Sequence, residues 1–100
     1  MNRILDRKSI LHMLAAHQEE LKKLGVTYLA LFGSVARNEA IEGSDVDFLV
    51  EFEGPASFDT YMELKFFLED LLGTRIDLVT RKALKPRLRP YVEKEAIRVT

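Results

Sequence analysis

The stretch "DVDFLVEF" at residues 45–52 constrains this chain more than any other. Its apolar residues alternate with polar ones at the start: Val46, Phe48, Val50 and Phe52 fall on one parity, Asp45 and Asp47 on the other. On a β-strand, alternate side chains share a face. One face is then an apolar row that must be packed, and the opposite face carries two carboxylates about 7 Å apart at Cα. Slipping the strand by one residue would bury both charges, so the register is pinned.

A strand marked in this way needs partners. "VTYLALF" (26–32) is short, apolar and rich in β formers, and "RIDLVT" (75–80) reads as a third strand. Helical stretches lie around them. In residues 7–24, Ile10, Leu11, Leu14, Leu21 and Leu24 recur at helical spacing, with Asp6 placed to cap the start and Gly25 to end it. A turn at Gly33-Ser34 opens a brief helix through Ala40. Ser57 caps a helix from Phe58 to Leu72, whose core stripe is Phe58, Tyr61, Leu64, Leu68 and Leu71, and Gly73 follows it. Pro86 and Pro90 punctuate a last short helix near 87–95. This alternation predicts an α/β layer architecture.

The 100 residues are expected to form a single domain with one modest core. Fifteen basic residues against 16 acidic ones give a net charge of −1, so no global field draws the chain to nucleic acid or anionic membrane. Cysteine is absent, which excludes a disulfide framework and a thiolate metal site. The start, "MNRILDRKSILHML", is too charged for a signal peptide, and no apolar run approaches the roughly 20 residues that span a bilayer. A cytoplasmic location is expected.

The chemistry concentrates between the first two strands. Asp45 and Asp47 repel each other unless something positive lies between them, and a hard divalent cation such as Mg2+ answers that. Asp77 stands between Ile76 and Leu78, where a carboxylate is costly unless paired or metal-bound. Beside Asp45 and Asp47 it would complete a three-carboxylate cluster suited to two cations about 3.5–4 Å apart; its alternative is an ion pair with Arg75. Gly33 lets the backbone approach a phosphate, a helix beginning there aims N–H groups at an anion, and Ser34 adds a hydroxyl. Arg37 falls on the same helical face and can grip phosphate oxygens, unless it is an ordinary surface arginine. An EF-hand beginning at Asp45 is excluded because its sixth and twelfth positions are Val50 and Ala56. His12 and His17, five apart, cannot form an i, i+4 metal pair and are expected to be non-functional.

Taken in order, Gly33-Ser34-x-x-Arg37, then Ser44-Asp45-x-Asp47, then Asp77 in an apolar strand resemble the polymerase-β-like nucleotidyltransferase superfamily, and the short length resembles its minimal nucleotidyltransferase branch. That branch is typically encoded beside HEPN-domain proteins as the antitoxin of a toxin–antitoxin pair. The resemblance, spanning Tyr28 to Val79, implies a mixed central sheet flanked by helices, Mg2+ and ATP. It implies that Gly33 and Ser34 hold the triphosphate, that Asp45, Asp47 and Asp77 bind metal, and that Asp77 accepts the proton of the attacking hydroxyl. Arg37 and Ser44 take supporting roles. It further implies transfer of AMP to a tyrosine hydroxyl of a HEPN toxin; larger relatives carry a second domain to hold their acceptor, and here the partner would deliver it.

Two other functions remain open from sequence: an antitoxin that neutralises its partner by contact alone, and a transferase acting on RNA or a small molecule with a separate acceptor-binding subunit. The basic run "RKALKPRLRP" (81–90) reads first as a solvated face. Met62 and Phe66, four apart and off the apolar stripe, are a candidate partner surface unless a loop covers them.

Overall fold

The computed structural model describes residues 6–41 and 43–100. Four strands form one sheet in the order β3-β2-β1-β4. The elements run α1 (Arg7–Ala15), α2 (Gln18–Lys23), β1 (Val26–Phe32), α3 (Gly33–Ala36), β2 (Val46–Phe52), α4 (Phe58–Leu72), β3 (Ile76–Thr80), a 3-10 turn (Arg81–Ala83), α5 (Arg89–Glu95) and β4 (Ile97–Arg98). The sheet is mixed: β1 pairs antiparallel with β2 and with β4, whereas β2 and β3 run parallel. A parallel pair needs a crossover, and α4 supplies it.

The alternation of β2 sorts the layers as its sequence requires. Val46, Phe48 and Val50 are buried and join Leu29 and Leu31 of β1, Leu64, Leu68 and Leu72 of α4, and Ile10, Leu14 and Leu21 of α1 and α2 in one cluster. Ala30 and Leu49 are fully buried yet stand outside that cluster. They face the other way, paired across β1 and β2, on the face where α5 lies. The sheet is thus covered on both sides at its middle, and its carboxylates emerge at one end.

Caps fall where the sequence placed them. The Asp6 side chain accepts from Ser9 N–H and that of Ser57 from Thr60 N–H. Gly73 closes α4 in the left-handed region at φ 67°, where a side chain would be strained.

Three expectations are corrected and one element is added. The stretch 7–24 is two helices, because the His17 ring takes the Met13 carbonyl at 2.7 Å. The His17 backbone N–H bonds Leu14 instead, and the helical ladder breaks there. The helix from Gly33 ends at Ala36, not Ala40. Phe58 is no core residue: it opens the first turn of α4 and is 75% exposed. The strand β4, two residues long, was not anticipated; it is too short to carry a period. Among the described residues, no helix is long and apolar enough to cross a membrane.

Candidate active site

The parallel register sets Asp47 directly opposite Asp77 on adjacent strands. Their side chains leave the same face of the sheet as in-register neighbours. Asp47 is held about halfway out of water. Burial, the Asp77 carboxylate beside it and the more distant Asp45 together push its pKa up to about 6, against a smaller pull down from Arg37. Asp77 itself is exposed. Asp45 lies just before the strand, and its Oδ1 accepts from Arg75 Nε at 3.3 Å. The pairing of Arg75 therefore falls to Asp45, leaving Asp77 to face Asp47.

Gly33 closes the other side. It follows β1 without a loop, at φ 78°, and its neighbour Phe32 pairs in register with Asp47. A Cβ at this position would lie 2.1 Å from Asp47 Oδ2. No side chain fits there, so the backbone at residue 33 is pressed against the carboxylate. Ser34 is partly buried beside it.

Arg37 ends α3 but does not stand free. Its Nε donates to Glu39 Oε1 at 2.7 Å, and its Nη1 reaches both oxygens of Glu95 at 3.1 and 3.2 Å. Those carboxylates raise its pKa further, Glu39 first. The hydroxyl of Ser44 is engaged too, accepting from Ile41 N–H at 3.1 Å in the turn before β2.

Two neighbours of the site had no signal in the sequence. Tyr61 of α4 donates its hydroxyl to the Leu78 carbonyl, and its pKa is raised by burial and then by Asp77. Glu95 of α5 accepts from Gly33 N–H at 3.2 Å. Both contacts join residues from separate elements, so no local pattern announces them.

Among the described residues, no three acidic or histidine groups already close around one point as a metal cage. The donor set nevertheless suits a hard cation: every candidate ligand is a carboxylate oxygen, and Asp47 and Asp77 repel until something positive or a proton comes between them. Beside them the Gly33 cradle admits backbone only.

Known proteins resemble this chain in sequence and in fold. The profile of the family described as "Nucleotidyltransferase domain" matches residues 14–99. The protein adenylyltransferase MntA of Thermococcus cleftensis is 42% identical over 97 residues, covering 96% of this chain and 98% of its own. A solved structure described as a minimal nucleotidyltransferase superposes with a TM-score of 0.82 at 41% identity, over 93% of this chain and 95% of that one. A chain from the complex of a tri-AMPylated Shewanella oneidensis HEPN toxin with an MNT antitoxin superposes with a TM-score of 0.64 over 90% of this chain and 71% of its own. At 18% identity, that last likeness is one of fold. With a family profile across most of its length and a relative of near-equal length this similar, the chain belongs to the nucleotidyltransferase domain family, as one of its minimal members.

Proposed function

We propose that this chain transfers AMP from ATP to a hydroxyl, of tyrosine type, on a HEPN-domain toxin, and acts as that toxin's antitoxin. The observation that carries the reading is the close approach of Gly33 to Asp47 beside an in-register Asp77. It sets a backbone phosphate cradle against paired carboxylates, the two halves that nucleotidyl transfer needs. The activity of the Thermococcus relative and the partner in the Shewanella complex point the same way.

In this mechanism the Gly33 amide and the Ser34 hydroxyl hold the triphosphate. Asp45, Asp47 and Asp77 would hold Mg2+, as two ions by the family's pattern. When bound, Mg2+ offsets the carboxylates' mutual repulsion and the charge on the phosphates. Asp77, exposed at the edge of the cluster, takes the proton of the acceptor hydroxyl. The acceptor oxygen bonds to the α-phosphorus as the bond from that phosphorus to the bridging oxygen breaks, and pyrophosphate leaves. Arg37 lies close enough to lower the Asp47 pKa and supports the phosphates through the Nη1 group that now binds Glu95. Ser44 acts through the turn that delivers Asp45 to the strand.

The whole chain serves as one catalytic domain in the cytoplasm, and the partner brings the acceptor. Phe66, 55% exposed on α4, and Met62 beside it form an apolar surface for that partner. The test is incubation with labelled ATP, Mg2+ and the cognate toxin. Label enters the toxin with the wild type, and the Asp45→Asn/Asp47→Asn double variant loses the transfer by at least about a hundredfold. Equal transfer by the two proteins would sink the proposal. Undiminished neutralisation of the toxin by the double variant would favour inhibition by contact alone.

A further inference from the structure

The Gly33 amide and the Arg37 guanidinium form an anion site, and the protein fills it with its own carboxylate. Glu95 Oε1 accepts from Gly33 N–H at 3.2 Å, and both Glu95 oxygens accept from Arg37 Nη1, at 3.1 and 3.2 Å. One amide and one guanidinium directed at a single carboxylate is the donor arrangement that receives a phosphate oxygen pair. These are two of the groups assigned above to the triphosphate, and the following inference rests on that assignment. A backbone N–H pointing at Glu95 cannot serve a phosphate at the same moment.

The backbone around Glu95 is fixed on both sides. It ends α5, and two residues on, Ile97 pairs with Leu31 of β1. The Glu95 side chain is 28% exposed, so it already meets solvent where it stands. Neither α5 nor β4 has to move. Arg37 keeps its second partner, Glu39, when Glu95 leaves, so the guanidinium stays oriented.

We infer that Glu95 is an internal competitor for the triphosphate: it occupies the cradle in the free protein and lowers nucleotide affinity until it is displaced. An occupied site weakens binding in proportion to the fraction of molecules in which it is free. Removing the charge at residue 95 therefore tightens nucleotide binding. A residue that merely oriented Arg37 for catalysis would have the opposite effect, since its loss would loosen a phosphate ligand.

The experiment is calorimetric titration of the full chain with ATP in the presence of Mg2+, and separately with inorganic tripolyphosphate. It compares wild type, Glu95→Gln and Glu95→Ala, with fold checked by circular dichroism, so that one variant serves if the other loses helix. Folded variants are expected to bind both ligands about three- to fivefold more tightly than wild type. If wild type binds and the folded variants bind equally or more weakly, Glu95 is no competitor, while the nucleotide reading stands. If wild type binds neither ligand, the nucleotide reading falls and this inference with it.

Discussion

The sheet face beneath α5 carries charge at both ends, and the ends handle it differently. At the far end Arg81 lies between Glu51 and Glu93, at 2.8 and 2.6 Å, with its guanidinium 4.5 Å from the centre of the Tyr28 ring. Arg98 approaches the same ring from β4 at 5.1 Å. Cation, anion and π face are matched, and the cluster ties β1, β2 and α5 together. At the near end Asp47 and Asp77 lie side by side, Asp45 adds a third carboxylate whose partner is the exposed Arg75 at 3.3 Å, and Arg37, the arginine that acts on Asp47, is already shared by two glutamates. The far end is complete within the chain. The near end is left unbalanced, and the charge it lacks is what the proposed Mg2+ would bring. Folding alone gives no reason to keep such repulsion; binding does.

Four substitutions test that contrast. The largest effect belongs to Gly33→Ala. The new Cβ would fall 2.1 Å from Asp47 Oδ2 at a backbone with φ 78°, so either the carboxylate or α3 must shift. Transfer of labelled AMP is expected to fall by about a hundredfold or more. Arg81→Gln at the far end should leave transfer within about twofold. Similar losses at the two ends would erase the distinction.

Asp47→Asn comes next and acts on stability as well as activity. The folded pKa of Asp47 is about 6 against an ordinary value of 3.8. Between those values the folded chain holds a proton that the unfolded chain has released, so stability falls as pH rises through this window. Above about pH 6 both states are ionised, and the cost of the buried charge is present in full. In chelator, Asn at 47 should therefore raise Tm by about 3–6 °C at pH 8, after allowance for the side chain's partial exposure, and leave it unchanged near pH 3.5. Melting curves across that range decide. A pH-independent difference would mean that Asp47 carries no electrostatic strain. Added Mg2+ should stabilise wild type at pH 8 and the Asn variant far less.

The far end should show the reverse pattern in stability. Arg81→Gln removes both ion pairs and the stacking on Tyr28, and is expected to lower unfolding free energy by about 1 kcal/mol, less in high salt. Denaturant titration measures it, and no loss at low salt would leave the cluster without a structural role. The smallest effect on the isolated chain is expected from Phe66→Ser, which lies away from both ends. Its stability should change by less than about 0.5 kcal/mol. Its affinity for the toxin should fall if α4 docks the partner, and unchanged capture would move the docking surface elsewhere.

The contrast between the ends also explains what could be read from sequence. Strand β2 was legible because alternation fixes its faces, and α4 because Ser57 and Gly73 bracket a helical period. Asp45 and Asp47 followed from that register. The juxtaposition of Asp47 with Asp77 did not follow from any local pattern; it depends on which strands are neighbours, and that came from the family resemblance. Arg37 illustrates the limit: its type and place suggested a free phosphate ligand, whereas its partners Glu39 and Glu95 come from a turn and from a helix far along the chain. The break at His17 was hidden for another reason, since a side chain competing for one carbonyl leaves the hydrophobic spacing intact.

The one parallel pairing in the sheet has a consequence for how the molecule can change. Everything between Phe52 and Ile76 is a detour that must return β3 alongside β2 with the correct side facing outward. Extra residues in the stretch 53–57 would only lengthen a surface excursion, at a cost that grows slowly with size. Removing a single residue between Arg75 and Asp77 would rotate Leu78 to water and drive its acidic neighbour inward. The loop leading into α4 can thus lengthen, while the sheet beside it tolerates changes only in steps of two.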